Sequence, residues 1–203
     1  MKKIWNFIGF PLRAFILNEN TQKKLGLTTL KEERFNQALK RMSGRVLDVG
    51  CGNNELINLY KKVSGSFNKE ESLGIDIFPF KGVDKVVDTE NLPFKKDEFD
   101  CVTLLATLNH IPKPKREKVI SEIKRVLKPN GKLIITMINP FVGWFCHKLT
   151  WWDFDKERGM KEEEEYGLTN EYIFNLMKSN GFELTEQKRF LYGLNNIFVF
   201  RKI

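Results

Sequence analysis

An aspartate and two closely spaced glycines follow a short apolar run in the first third of the chain. The stretch VLDVGCG covers residues 46–52, so Asp48 precedes Gly50 and Gly52. Glycine at a strand end lets backbone N–H groups approach a ligand without a Cβ clash. We therefore expect a small-ligand site here, to which Asp48 presents a fixed negative charge.

The acids around this stretch indicate the charge of the ligand. A dinucleotide site needs a third glycine at position 55 to hold pyrophosphate, but that residue is Glu55. Asp76 ends the next predicted strand and is placed to accept both hydroxyls of a ribose. Asp88 ends the strand after it and could accept an exocyclic amino group. Together with Asp48, these carboxylates favour a positively charged nucleoside over a pyrophosphate.

Hydrophobic periodicity predicts the elements that hold these residues. A capping box of Thr29 and Glu32 begins a helix. A second helix follows the glycines, with Leu56, Ile57, Tyr60 and Val63 on its inner side, and Thr169 caps a later one. Short apolar runs predict strands at 45–50, 72–78, 82–88, 99–108, 130–138, 182–193 and 195–203.

Alternation of these strands and helices predicts an α/β fold, doubly wound, with helices on both faces of a mostly parallel sheet. A turn at Pro129, Asn130 and Gly131 introduces the fifth strand. The last two strands form an antiparallel hairpin at the sheet edge, with Tyr192, Asn195 and Asn196 in its turn. Ligands of such sheets bind beyond the carboxyl ends of the strands.

Composition limits the class of protein. The chain has 203 residues, 41% hydrophobic and 30% charged, which is typical of one globular domain. Its three cysteines are far apart and match no zinc spacing, so we predict no metal site and a cytoplasmic protein. The N-terminal apolar run is interrupted by Gly9, Pro11 and Arg13, which favours neither an export signal nor a membrane span.

Positive charge is concentrated in a basic, aromatic leader, residues 1–28. Residues 1–45 hold ten Lys and Arg against three Asp and Glu, within a net charge of +8 for the chain. Residues 1–17 could contact an anionic membrane surface peripherally, or pack their aromatic side on the domain. The domain itself is predicted over residues 29–203, with an irregular, lid-like insertion at about 139–167.

Several of these motifs together resemble a known family. VLDVGCGNN, GID at 74–76, VVDTENLPF at 86–94, EFDCVTLLATLNHI at 98–111 and EIKRVLKPNGKLIITMI at 122–138 are similar, in order and spacing, to class I S-adenosylmethionine-dependent methyltransferases. The resemblance covers residues 45–138. It implies a Rossmann-like sheet of seven strands with an antiparallel C-terminal hairpin. It also implies S-adenosylmethionine as cofactor and S-adenosylhomocysteine as product.

The resemblance assigns parts of the cofactor to parts of the chain. It implies that the glycine turn passes the methionine moiety with Asp48 near its amino group, that Asp76 binds the ribose, and that Asp88 and the backbone of Thr89 lie at the adenine. Leu104 and Leu105 occupy the strand end whose main chain approaches the methyl-bearing sulfur. The implied cofactor-binding residues are Asp48, Gly50, Cys51, Gly52, Asn54, Asp76, Ile77, Asp88, Thr89, Leu104 and Leu105.

Two positions depart from the family pattern. Asn54 stands where many members have a third glycine, and its amide could instead bond the cofactor. The linker between the second and third strands lacks the usual helix, which leaves the place of Asp88 open.

His110, directly after the fourth strand, is the candidate catalytic base for a hydroxyl acceptor. It could equally hydrogen-bond the backbone and fix the turn. Asn139, Trp151 and Trp152 are the candidate substrate-binding residues, and each could instead serve a turn or the core under the insertion.

We predict methyl transfer to a small-molecule, lipid-linked or glycan acceptor. RNA methylation is an alternative, because the pI is near 9.3 and the leader is basic. The sequence LATLNH nevertheless stands where enzymes that methylate the adenine amino group resemble one another in an Asn/Asp-Pro-Pro-aromatic box. A non-catalytic S-adenosylmethionine-binding subunit is a second alternative, and a NAD-dependent oxidoreductase is disfavoured by Glu55.

Overall fold

The computed structural model describes Leu17, residues 19–140 and residues 165–203. Residues 1–16 and 18 of the leader and residues 141–164 of the insertion therefore lie outside the described part. Trp151 and Trp152, predicted to bind substrate, belong to that excluded range.

The described residues form five α-helices and seven strands, with single turns of 3₁₀ helix between some of them. The α-helices are α1 (Glu19–Lys24), α2 (Leu30–Leu39), α3 (Glu55–Val63), α4 (Arg116–Val126) and α5 (Asn170–Ser179). The strands are β1 (Val46–Val49), β2 (Leu73–Asp76), β3 (Lys85–Val86), β4 (Phe99–Leu105), β5 (Leu127–Ile138), β6 (Phe182–Phe190) and β7 (Asn195–Lys202). The 3₁₀ turns span Lys69–Glu71, Leu108–His110 and Lys113–Lys115.

All seven strands join one sheet in the order β3-β2-β1-β4-β5-β7-β6. Strands β1 to β5 run parallel, whereas β7 is antiparallel to both β5 and β6. This confirms the predicted doubly wound α/β sheet with its antiparallel hairpin. The strand order reverses between β1 and β4, which is where ligands bind in sheets of this kind.

Helices cover both faces of the sheet, and alternate strand residues point to each face. Val46 and Cys101 belong to the cluster that α2 and α3 complete through Ala38 and Leu56. The residues that follow them in sequence point to the other face and belong to a second cluster, to which α4 and α5 also contribute. Its buried members include Leu47, Val102, Leu133, Phe198, Ile120 and Ile173.

Three predicted details differ from the structure. Val63 is 62% exposed, because the apolar stripe of α3 extends one position beyond its contact with the sheet. The turn at residues 129–131 is a bulge inside β5, since pairing to β4 occurs on both sides of it and Asn130 has φ 61°. Asn195 and Asn196 are buried residues of β7, because ladder pairing begins at Asn195; the turn consists of residues 191–194.

Within the described ranges, no helix has the length and apolar character needed to cross a bilayer.

The capping box at the start of α2 gives a first prediction. Thr29 Oγ1 accepts from the Glu32 backbone N–H at 3.1 Å, and Glu32 Oε2 accepts from the Thr29 N–H at 2.8 Å. We expect Thr29→Ala to lower the free energy of unfolding by about 1 kcal/mol in urea titration. Thr29→Ser keeps the capping oxygen and should lose much less; equal losses would contradict the capping role.

Candidate active site

The glycine turn after β1 is hydrogen-bonded to the end of β2. The backbone N–H groups of Gly50 and Cys51 both donate to the Ile75 carbonyl, at 2.9 and 3.0 Å. Gly50 has φ 77°, and a Cβ there would lie 2.4 Å from the Thr107 side chain. A Cβ at Gly52, by contrast, would meet no heavy atom within 4 Å. The turn is therefore packed on its Gly50 side and open on its Gly52 side.

Asp76 borders the open side of the turn. Its Oδ2 accepts from the Gly52 N–H at 2.9 Å and its Oδ1 from the Phe78 N–H at 3.1 Å, and the residue is 7% exposed. An ionised carboxylate offers about four lone-pair sites. Two backbone bonds thus fix its orientation and leave capacity for the two hydroxyls of a ribose.

Asp48 is buried beside Thr103, whose hydroxyl donates to Asp48 Oδ1 at 2.6 Å. Burial raises the pKa of Asp48 from its ordinary 3.8 to about 7; the Thr103 bond opposes this and the like charge of Asp76 adds to it. In the cofactor-free chain the charge of Asp48 is therefore not fixed, because burial raises the pKa of the carboxyl to about 7. A positively charged ligand nearby would favour its ionised form.

Asn54 holds the linker between β2 and β3. It adopts a left-handed conformation, φ 58°, which glycine and asparagine reach at less cost than other residues. Its Nδ2 donates to the Gly82 carbonyl at 3.0 Å and to Asp84 Oδ2 at 2.8 Å. Asp84 Oδ2 also accepts from the Gly74 N–H at 2.7 Å. The amide nitrogen is thus engaged by the linker, whereas the amide oxygen, Oδ1, has no partner among the described residues. The predicted bond of this amide to the cofactor stays a prediction.

Exposed apolar side chains follow Asp76. Ile77 is 55% exposed, and the rings of Phe78 and Phe80 meet edge to face at 5.9 Å between centroids. These three residues offer an apolar surface on the side of the site to which the resemblance assigns the adenine.

Asp88 does not end a strand as predicted. Strand β3 stops at Val86, because it has only two paired residues on the sheet edge. Asp88 is exposed and its Oδ1 accepts from the Glu90 backbone N–H at 3.0 Å, which forms a local turn that includes half-buried Thr89. Asp88 and Thr89 therefore belong to the loop that follows β3.

The end of β4 brings Leu104 and Leu105 to the same edge of the sheet as the glycine turn. Leu104 is buried and Leu105 is half-buried. The chain turns sharply at Ala106, with φ 55°, and the Ala106 N–H donates to both the carbonyl and the Oγ1 of Thr136, each at 3.1 Å. Main chain thus stands at the position to which the resemblance assigns the reacting methyl group.

His110 lies in the 3₁₀ turn that follows. Asn109 Nδ2 is 3.2 Å from His110 Nε2 and also donates to the Glu165 carbonyl at 3.0 Å. The Asn109 amide can donate to Nε2 in the tautomer that carries its proton on Nδ1. Buried Arg116 holds the same segment in place, because its guanidinium donates to Glu165 Oε2 at 2.5 Å and to the Ile111 carbonyl at 2.8 Å.

Asn139, the remaining substrate candidate, follows β5, and its N–H donates to the Leu194 carbonyl at 3.2 Å. Sequence reasoning missed Thr103, Asp84 and Thr107, which contact the predicted residues from other elements. The alternation of strand β4 could have indicated Thr103; nothing local indicated Asp84 or Thr107.

The donor set suits a cationic nucleoside. Two buried carboxylates and an open glycine turn lie at the carboxyl ends of β1 and β2, next to the switch point between β1 and β4, and the apolar residues after Asp76 offer a surface for a base. Among the described residues, no group of three His, Cys, Asp or Glu side chains could hold a metal ion.

Comparison with known proteins gives the family. A family model described as a methyltransferase domain matches residues 19–187. The chain belongs to this family, which confirms the predicted class I methyltransferase and its cofactor, S-adenosylmethionine.

Curated relatives cover much of the chain. It is 31% identical over 157 residues to the protein MJ1123 of Methanocaldococcus jannaschii, covering 72% of this chain and 69% of the relative. It is 27% identical to the demethylmenaquinone methyltransferase of Thermotoga maritima, covering 76% of each. The ubiquinone biosynthesis O-methyltransferase of Dechloromonas aromatica is 29% identical over 56% of this chain, which spans about half of that relative (52%).

Solved structures share the fold. The PH0226 protein of Pyrococcus horikoshii superposes with a TM-score of 0.67 at 20% identity, covering 96% of each chain. The 1,6-didemethyltoxoflavin-N1-methyltransferase of Burkholderia thailandensis superposes with a TM-score of 0.63 at 15% identity, covering 84% of this chain and 76% of that one.

Asp48 gives a pH-dependent prediction for the cofactor-free protein. Its pKa is about 7 when folded and near 3.8 when unfolded, so the folded state binds more protons between these values. Wild-type stability should therefore fall as pH rises from 4 to 7, relative to Asp48→Asn, by up to about 4 kcal/mol. Urea titrations of both proteins at several pH values measure this gap. A gap that does not change with pH would contradict the buried titration.

Proposed function

We propose that this chain transfers a methyl group from S-adenosylmethionine to a small-molecule or lipid-linked acceptor. The observation that carries the proposal is the open Gly52 side of the turn, where Asp76 accepts from the Gly52 N–H and interacts electrostatically with the buried carboxyl of Asp48. When bound, the cofactor supplies an electrophilic methyl group on a sulfonium that becomes neutral as the methyl leaves.

The residues of the chain would bind and orient the reactants. Asp76 would accept the ribose hydroxyls, and ionised Asp48 would face the positive methionine moiety. Ile77, with Asp88 and Thr89 beyond it, would line the adenine side. Alignment of the acceptor with the methyl group contributes on the order of 7 to 11 kcal/mol when it is complete.

The named relatives favour a small acceptor. Two of them are named for reactions on ubiquinone precursors and demethylmenaquinone, which are small molecules. Aromatic residues in the leader, Trp5, Phe7 and Phe10, and the candidates Trp151 and Trp152 would suit an apolar acceptor. Peripheral membrane contact through residues 1–17 belongs to the same proposal.

Isotope labelling tests the choice of acceptor. Purified protein is incubated with methyl-labelled S-adenosylmethionine and separate pools of lipids, small metabolites, glycans and RNA. We expect label in the lipid or small-metabolite pool. Label in RNA alone would favour the alternative function, and label in no pool would favour a cofactor-binding subunit that needs a partner.

Asp76 provides the second test of the site. Asp76→Ala removes the carboxylate that would accept two hydroxyls, so S-adenosylhomocysteine should bind at least about 100-fold more weakly in calorimetry. Its thermal stabilisation of the protein should vanish as well. Asp97→Asn is the control, because Asp97 precedes β4 at the end of the sheet where the parallel strands begin, away from the site. This variant should bind S-adenosylhomocysteine normally. Equal affinity in Asp76→Ala and wild type would exclude this assignment.

His110 stays a candidate base and has its own prediction. His110→Gln keeps a hydrogen-bond acceptor for Asn109 but cannot take a proton from a hydroxyl acceptor. If His110 is the base, kcat falls about 10²–10⁴-fold while S-adenosylhomocysteine affinity is unchanged. A kcat within a few-fold of wild type would instead assign His110 to fixing the turn.

A further inference from the structure

Two charged side chains of α4 hydrogen-bond the backbone that follows the turn at residues 88–91. Glu122, which is buried, accepts from the Leu92 N–H at 2.9 Å through Oε2. The Arg125 guanidinium donates to the Leu92 carbonyl at 2.8 Å and to the Phe94 carbonyl at 2.7 Å. Leu92 is only 2% exposed, so its backbone groups need partners inside the protein, and this pair of side chains supplies both.

The two side chains also orient one another. Arg125 Nε donates to Glu122 Oε1 and Arg125 Nη2 donates to Glu122 Oε2, each at 2.8 Å. This bidentate bond lowers the pKa of Glu122 below its ordinary value of 4.5, against the opposing effect of burial, so the pair is ionised at neutral pH. Apolar residues of similar volume often stabilise a fold as well as such a pair does. The bonds to the loop backbone therefore indicate a positional role.

The turn at residues 88–91 lies between this pair and the end of β2. At its start, the Val87 N–H donates to the Asp76 carbonyl at 2.9 Å. Within the turn, the Asn91 N–H donates to the Asp88 carbonyl at 3.1 Å. Directly after it comes the backbone that α4 holds. Both ends of the turn are thus fixed, one beside the residue proposed to bind the ribose and the other on α4.

The Asp88 side chain is accessible to a ligand at this place. Asp88 is exposed, and it directly follows Val87, which is bonded to Asp76. An ionised carboxylate accepts hydrogen bonds but donates none. It therefore favours the 6-amino group of adenine over the 6-oxo group of hypoxanthine, provided that the turn holds it in place.

We propose that Glu122 and Arg125 are positioning residues for the cofactor, because they fix the turn that presents Asp88 to the adenine amino group; this inference rests on the function proposed above. Neither side chain contacts the cofactor itself. Their effect on base recognition is transmitted through the backbone that follows the turn.

A pair of ligands that differ only in the base tests this role. Calorimetry measures the binding of S-adenosylhomocysteine and of S-inosylhomocysteine to the full chain. We expect wild type to bind the adenosine ligand at least about tenfold more tightly. Arg125→Lys keeps a positive charge for Glu122 but loses the planar fork that reaches two carbonyls, so this ratio should fall at least about threefold.

Arg41→Lys is the matched control. Arg41 also binds a glutamate through two nitrogens, since its Nε donates to Glu186 Oε2 at 3.0 Å and its Nη2 donates to Glu186 Oε1. Glu186 belongs to β6, at the opposite edge of the sheet from β3. The same substitution there should keep the wild-type ratio.

A double-mutant cycle separates positioning from a general loss of stability. Asp88→Asn should itself lower the ratio, because an amide can also donate to the oxo group. If Arg125 acts through Asp88, adding Arg125→Lys to Asp88→Asn should lower the ratio no further. A merely structural role would weaken the binding of both ligands equally and leave the ratio unchanged.

The contrary outcomes are distinct. A wild-type ratio near one, an unchanged ratio in Arg125→Lys, or independent effects in the cycle would overturn the proposal. If Arg125→Lys does not fold, Glu122→Gln decides by the same ratio, because it keeps the shape of the side chain and weakens its bonds. Failure of wild type to bind S-adenosylhomocysteine would contradict the proposed function instead.

Discussion

The site depends on two carboxylates buried at the ends of neighbouring parallel strands. Asp48 precedes the glycine turn, and Asp76 accepts a hydrogen bond from its Gly52 N–H. Only glycine fits at position 50, because a Cβ there would overlap the Thr107 side chain. Burial makes negative charge unfavourable and raises the pKa of Asp48. A ligand with positive charge relieves it, whereas a pyrophosphate would increase it. We therefore expect this site to accept a cationic nucleoside in preference to a pyrophosphate.

The rest of the structure holds these carboxylates in place. Strand β4 supplies the Thr103 hydroxyl to Asp48, and the glycine turn supplies the Gly52 N–H to Asp76. Where a helix usually follows the second strand, Asn54 and Asp84 hold an extended linker against β2. The Asn54–Asp84 pair thus positions the linker without a helix, and the linker carries the exposed side chains of Ile77, Phe78 and Phe80.

Most of the fold could be predicted from local pattern. Continuous apolar runs predicted β1, β4 and β5. The capping residues Thr29 and Thr169 predicted the starts of two helices, which the structure confirms. Strand β3 was harder to bound, because two paired residues carry little periodicity. Asn195 was predicted in a turn because asparagine is frequent there, but its pairing with β5 and β6 depends on strands distant in sequence.

The candidate site was predictable where a motif fixes backbone geometry and less so where side chains converge from several elements. The glycines, Asp48 and Asp76 follow from their places at strand ends. The partners of Asn54, by contrast, are 28 and 30 residues away, so no local pattern could reveal that its amide binds the linker. The ionisation of Asp48 likewise depends on burial by the whole sheet.

A crystal structure of the chain soaked with S-adenosylhomocysteine tests the central claim most directly. The account predicts the nucleoside above the Gly52 side of the turn, with its ribose hydroxyls on Asp76 and its methionine moiety beside Asp48. An empty turn at saturating ligand, or a parallel soak in which the pyrophosphate of NAD occupies the turn, would contradict the account.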